Sequence, residues 1–368
     1  MSESALPAGR LRSLDVLRGA TIAGMILVNN PGDWSKTFAP FLHAEWHGWT
    51  PTDWIFPFFL FIVGAAIPLA SPKGHRQIAR RVLILFGLGL FLNAFRFTAI
   101  DWGTLRIPGV LQRIAVVYGL AALAWLHLSP RARRWLGVAI LAGYWAALML
   151  VPVPGHGAGD LSPQGNLPFW LDSQLLGRHT WRLAPGPGDP EGILSTLPAL
   201  VTALCGLAAG EWLRGKRPPH ETATGLFVAG NLGLAAGLAL AAWMPLNKNL
   251  WTPTYVLATG GVAAVALGLA FVLVDVHGRT RWTRPFEVLG SNAIAAFFGS
   301  TLLAKIGILI KLQAEDGSTV TLTTWLYRRL AEPWLPDGWS SLAWATAYLL
   351  LWLGVTWVMY RKRVFLKV

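Results

Sequence analysis

Apolar positions in this 368-residue chain neither alternate with polar ones nor confine themselves to one helix face; they continue unbroken for about 17 to 23 residues at a time. Ten such runs occupy 14–30, 54–70, 79–95, 107–127, 134–151, 193–213, 225–243, 252–274, 286–304 and 342–360. A helix rising ~1.5 Å per residue needs about 20 apolar residues to cross ~30 Å of hydrocarbon, so each run predicts a spanning helix. Barrel strands would alternate polar and apolar residues, and these runs do not. Helices also satisfy their own backbone where lipid offers no partner. The expected fold is all-α: a polytopic membrane protein with about ten transmembrane helices, one domain over 1–368.

Basic residues orient the chain, because Lys and Arg near short loops stay on the cytoplasmic side. With the N-terminus inside, 19 of the 31 Lys and Arg residues fall inside, in four short loops and two tails that include Arg10 and Lys367. Ten fall outside, and Arg18 and Arg113 lie within runs. Both termini are expected in the cytoplasm. The outer face then carries three long segments, 31–53, 152–192 and 305–341, rich in Gly, Pro, Trp and polar residues. Loops of that length tend to be functional. The first thirteen residues lack an apolar core, so the first span is expected to act as an uncleaved signal.

Composition agrees: 54% of residues are hydrophobic, 13% are charged, and mean hydropathy is +0.47. A net charge of +13 would suggest nucleic acid in a soluble protein. Here the excess sits in loops at one membrane face, where topology and anionic lipid headgroups account for it, and no nucleic-acid partner is expected. Many of the 20 Trp residues lie at run ends, as in an interfacial belt. Cys205 is the only cysteine, which excludes an internal disulfide and a cysteine-rich metal site.

Proton-handling residues gather at the second run, in His43-Ala-Glu-Trp-His-Gly-Trp-Thr-Pro-Thr-Asp53. His43, among Trp34, Phe38, Phe41, Trp46 and Trp49, suits a general base or a transient acyl acceptor, against the plainer reading of a loop histidine capping backbone. His47 follows four residues on, a spacing that could seat a metal on a helix, but Gly48 and Pro51 oppose a helix there and no metal is expected. Asp53 fits a helix cap as well as it fits catalysis. Asp15 and Arg18 are spaced to pair on one helix face, whereas Gln112 and Arg113 lack a local partner and are expected to face a polar cavity. Asp189 and Glu191 before the sixth run, and Asn247, Lys248 and Asn249 before the eighth, place hydrogen-bonding groups beside Trp on the face of His43, as a sugar site requires. Capping is the alternative for Asp189 and Glu191.

The series Leu14-Asp-Val-Leu-Arg-Gly19, Val28-Asn29, His43-x-x-Trp46-x-Gly48, Thr50-x-x-Asp53-x-x-Phe56-Pro57, Gly109-Val-Leu-Gln-Arg113, Asp189-Pro-Glu-Gly-Ile-Leu194, Asn247-Lys-Asn-Leu-Trp251 and Gly290-Ser-Asn292 resembles the heparan-alpha-glucosaminide N-acetyltransferase family. Bacterial NagX-like members look most similar. The resemblance covers nearly the whole chain, in order.

It implies a transmembrane acyltransferase that takes acetyl-CoA, as co-substrate, from the cytosol and delivers acetyl to an amino sugar or related glycan on the periplasmic side. The family's catalytic histidine corresponds to His43, and its nearby asparagine to Asn29. Arg18, Gln112, Arg113 and Asn292 are expected to hold the donor. Asp53, His179, Asp189, Glu191, Asn247, Lys248 and Asn249 are expected on the acceptor side, with Asp172 at a polar position of the same outer loop. Gly188 stands where the family usually has an aromatic, and Ser173 where the lysosomal enzyme has a basic residue. That enzyme's large luminal region and extra helix have no counterpart here, so the chain is expected to be the catalytic membrane core. The residues leave direct transfer and an acetyl-histidine intermediate both open.

A cavity should connect Arg113 to His43. The expected location is the bacterial inner membrane, with lipid as partner and a homodimer as an open alternative. A transporter of N-acetylglucosamine or a related amino sugar is the alternative function.

Overall fold

The computed structural model describes residues 11–96, 98–314 and 317–366. Arg10 and Lys367, counted in the charge balance, lie outside the described residues. The chain is mostly helical: α1 (Arg12–Asn29), α2 (Ile55–Ala70), α3 (His75–Ala94), α4 (Val110–His127), α5 (Pro130–Leu150), α6 (Leu167–Leu175), α7 (Thr196–Arg214), α8 (Pro219–Leu240), α9 (Pro253–Ala270), α10 (Arg284–Ser291), α11 (Ala293–Leu309), α12 (Leu322–Leu330) and α13 (Asp337–Arg361). An antiparallel hairpin, β1 (Lys311–Gln313) and β2 (Thr319–Thr321), is the small exception to an all-α fold.

Among the described residues, seven helical segments are long and apolar enough to cross a membrane: Pro51–Ala70, α3, α4, α7, α8, Pro253–Val276 and α13. The pair α10 and α11 makes an eighth if counted as one span. Ten were expected. The runs at 14–30 and 134–151 do form α1 and α5, but α1 carries Arg12, Asp15 and Arg18, and α5 opens Pro-Arg-Ala-Arg-Arg. The expected straight span at 286–304 is bent by 79° at Asn292. The outer segment expected at 305–341 begins later, because α11 continues to Leu309 and the hairpin and α12 follow it.

Local chemistry sets the helix ends. Ser129 caps α5 by accepting from Ala132 N, with Pro130 at the first helical position, where no N–H is needed. The turn into α2 carries a capping box between Thr50 and Asp53. The end of α9 widens into a π-turn, Phe271–Val276, which brings Asp275 to the start of α1, where its carboxylate accepts from Arg12 N and Ser13 N.

Helices α2, α4, α7 and α9 are largely buried, whereas α3, α8 and α13 turn most of their surface outward. Helices α2 and α7 cross backbone to backbone: a Cβ on Gly64 would lie 1.9 Å from Ala203 O, and one on Gly206 1.9 Å from Phe61 O. Small residues at such crossings stabilise helix pairs where lipid removes the hydrophobic driving force. Gly206→Leu should therefore force α2 off α7 and cost about 2 kcal/mol or more. Thermal denaturation in detergent should show a melting temperature lower by several degrees than that of Gly143→Leu, whose added Cβ meets nothing within 4 Å.

Candidate functional site

His43 lies in the loop between two 3-10 turns, Ala39–Phe41 and Pro51–Trp54. Its Nδ1 is 2.7 Å from Asp53 Oδ1. Because a carboxylate only accepts, Nδ1 carries a proton, and in the neutral ring that leaves the lone pair on Nε2. The Asp53 side chain is 1% exposed, against 43% for His43. The other Asp53 oxygen accepts from Ala44 N and Thr50 N, both at 3.0 Å, and from Thr50 Oγ1 at 3.2 Å. The cap and the partner of histidine are one side chain. Asp53, expected among acceptor ligands, instead faces the imidazole.

Lys248 joins this pair from the loop before α9. Its Nζ lies 3.3 Å from Asp53 Oδ1 and 3.0 and 3.3 Å from the two ring nitrogens of His43. That near-equidistance rules out a straight hydrogen bond along either lone pair, so the ammonium rests against the ring. Burial pushes the Lys248 amine below its ordinary value, and Asp53 and Glu191 oppose the shift.

Asn247 builds the turn that presents Lys248. It is fully buried; its amide donates to Trp46 O at 2.9 Å, its oxygen accepts from Leu250 N at 2.8 Å, and its Nδ2 lies 3.3 Å from His47 Nδ1. Trp251 ends the turn at φ 52°, left-handed backbone that a bulky residue adopts only when its surroundings over-determine it. Its indole donates to Thr202 Oγ1 and lies against Phe56, Tyr255 and Arg113. Asn249 is half-buried and does not line the cavity described next.

A cavity of about 590 Å³ runs from this cluster through the helices. At one end stand Asn29, His43, Glu191 and Lys248; Met25, Phe59, Ile62 and Ile114 line the middle; Arg18, Gln77, Arg81 and Ser291 lie at the other end. Arg18 and Asn29 are eleven residues apart on α1, about 16 Å along the axis. Arg18 pairs with Asp15 at 2.9 Å. The Arg81 guanidinium lies 4.4 Å over the Tyr118 ring, and its buried Nε has no hydrogen-bond partner.

The cavity therefore joins His43 to Arg18 and Arg81, and Arg113, expected along the path, does not line it. Arg113 is 2% exposed; it donates to Gly192 O and Ser195 Oγ and packs on Trp251. Its partners come from the segment before α7, some 80 residues on. Gln112 is likewise buried, donating to Ile107 O. Asn292 sits at the α10–α11 bend, donating to Val364 O and accepting from Leu366 N, so it ties down the tail whose Leu366 lines the cavity.

Arg106, read from sequence only as an outer charge, organises the Asp189-Pro-Glu-Gly192 segment. It donates to both Asp189 oxygens at 2.7 and 2.8 Å and to Glu191. Burial works against this guanidinium, but Asp189 and Glu191 outweigh it and hold its pKa above the ordinary value. Asp189 is fully buried, so of the two acids only Glu191 reaches the cavity. His179 accepts no place there either: its Nδ1 lies 2.8 Å from Leu105 O, pinning two loops together. Gly188 sits against Phe169, where an added Cβ would lie 2.4 Å from the Phe169 Cα. Ser173 donates to Trp170 O. Among the described residues, no group of three or more His, Cys, Asp or Glu side chains is arranged to hold a metal ion.

A family model described as heparan-alpha-glucosaminide N-acetyltransferase, catalytic, matches residues 10–231, and the chain belongs to that family. The heparan-alpha-glucosaminide N-acetyltransferase of Homo sapiens is 29% identical over a match 429 positions long, gaps included, covering 99% of this chain and 61% of the relative. The protein of that name from Mus musculus is 27% identical over 424, covering 98% and 61%. The chain thus spans 61% of the length of the curated relatives it matches.

Asp172 supplies a pH-dependent test of the loop that carries Glu191. It is fully buried and accepts from Asp189 N at 3.2 Å and Ile193 N at 2.9 Å. Burial, with Asp189 adding to it, pushes its carboxyl from 3.8 up to about 6 against those two N–H groups. Between these values the folded chain binds more protons than the unfolded one, so stability falls as pH rises from about 4 to about 6 and levels off above, by roughly 3 kcal/mol in all. Melting temperatures across that range should show the decline in wild type and not in Asp172→Asn.

Proposed function

We propose that this chain is a transmembrane acetyltransferase that takes acetyl-CoA at the Arg18 end of its cavity and passes acetyl to the amine of an amino sugar or related glycan at the His43 end. One observation carries the reading: a single cavity has cationic side chains at one end and a His–Asp pair at the other, with apolar walls between them. Its volume lies in the range of small-molecule sites. The unpaired Nε of Arg81 offers a buried donor to an anion at the Arg18 end, where Arg18 and Gln77 stand beside it.

When bound, acetyl-CoA supplies an acyl group activated as a thioester. Arg81 and Arg18 hold the phosphate-bearing end, and the apolar walls take the arm. Glu191, exposed to the cavity and braced by Arg106, orients the acceptor, which reacts as the neutral amine. His43 Nε2 takes the proton from the attacking amine and returns it to the leaving thiolate, while Asp53 holds the tautomer and stabilises the imidazolium. Asn29 lines the same end and donates to the acyl oxygen.

The reading includes an orientation. All ten helical runs span, including α1 and α5, with both termini and the Arg18 end in the cytoplasm and His43 on the periplasmic face of a bacterial inner membrane. The basic loops support it through the positive-inside tendency.

In detergent, purified protein should transfer labelled acetyl from acetyl-CoA to glucosamine. His43→Ala should lower the rate by about 10²-fold or more, and Asp53→Asn by a similar factor through loss of the tautomer. Arg81→Glu should raise KM for acetyl-CoA about tenfold with kcat near wild type, the mark of lost ground-state binding. Transfer unchanged in His43→Ala would remove the reading.

A further inference from the structure

The proposed reaction leaves one charge unanswered. The His43 cluster holds a buried carboxylate, the imidazole bonded to it and the Lys248 ammonium. When the amine nitrogen bonds to the acyl carbon, its proton goes to His43 Nε2, and the carbonyl oxygen becomes an oxyanion until the C–S bond breaks. Asp53 balances the imidazolium. The oxyanion needs a second cation at the same end.

We propose that Lys248 is that cation: its Nζ donates to the acyl carbonyl oxygen and keeps its own proton throughout transfer. The proposal rests on the acetyl-CoA reading and assigns Lys248 to the donor, where the sequence placed it with the acceptor. Among the described residues lining the cavity, Lys248 is the only Lys or Arg at the His43 end, since Arg18 and Arg81 stand at the other. An ammonium has three N–H bonds; one is aimed at Asp53 Oδ1, and the contact with His43 is to the ring. That leaves donor capacity for the cavity beside Nε2.

Position is fixed before substrate arrives. Asn247, with three polar contacts, and Trp251, boxed at a positive φ, hold the turn. A donor so held stabilises developing charge without reorganising. Lysine is also mostly buried, at 21% side-chain exposure, so water competes weakly for it. Glu191 lines the same end and helps keep Lys248 charged.

The test compares two CoA analogues that do not react: a ketone in which methylene replaces the thioester sulfur, and S-ethyl-CoA, which lacks the carbonyl. Calorimetry on wild type should show the ketone bound about tenfold more tightly. Lys248→Met should lose most of that preference, keeping only what the Asn29 donor supplies, with S-ethyl-CoA affinity unchanged, and Lys248→Arg should recover part of the preference. In turnover, Lys248→Met should lose about 10²-fold to 10³-fold in kcat, with KM for acetyl-CoA raised by no more than the roughly tenfold of lost carbonyl binding. A preference undiminished in Lys248→Met, or absent in wild type, overturns the role of Lys248 and leaves the acetyl-CoA reading standing. Failure of wild type to bind either analogue overturns both.

Discussion

The buried carboxylate of Asp53 is the interaction on which the site depends. A carboxylate at 1% exposure is tolerable only with its lone pairs filled, and here His43, Ala44, Thr50 and Lys248 fill them from two separate loops. The same oxygens cap the turn that opens α2, so the start of a membrane-spanning segment, the tautomer of the imidazole and the seat of the ammonium are set together. Removing that charge would loosen all three.

Around it, the loops at the His43 end brace one another because each hides polar groups that only another loop can satisfy. Gly48 N donates to Leu246 O, Trp46 Nε1 to Leu161 O, and Arg106 reaches Asp189 and Glu191. Lys36 pairs with Glu332 and Asp337 in the same way, tying the loop after α1 to the start of α13. Such a network places Glu191 and Lys248 with little freedom, and preorganised groups are what transfer chemistry needs. The Arg18 end is simpler, with cationic side chains, an aromatic platform under Arg81 and the tail held by Asn292.

The helices were legible in the sequence because a span is a matter of length and apolarity: seven of the ten long runs became helices of spanning length, one became the bent pair α10 and α11, and two became the more charged α1 and α5. The bend at Asn292 was not, since Gly290-Ser-Asn292 is small and weakly polar and interrupts an apolar run without ending it. The hairpin and α12 hid in a stretch whose charged residues read as loop. His43 and Asn29 stood out through family resemblance, and the structure places both in the cavity. Arg113 misled for a physical reason: a charge inside an apolar run suggests an aqueous path, but its acceptors come from the segment before α7. Arg81 was overlooked because an Arg pair at a run's edge reads as a topology signal. Only the start of α3 at His75 carries it a turn and a half into the helix, where it meets Tyr118.

The central claim is that donor and acceptor approach one cavity from opposite faces of the membrane. The most direct measurement seals labelled acetyl-CoA inside proteoliposomes, supplies glucosamine only outside, and follows N-acetylated sugar in the external medium, with orientation scored by protease access to the tail. The account predicts labelled sugar outside at a rate proportional to the fraction of protein whose tail faces the lumen. Product formed only when both substrates share one compartment would contradict it.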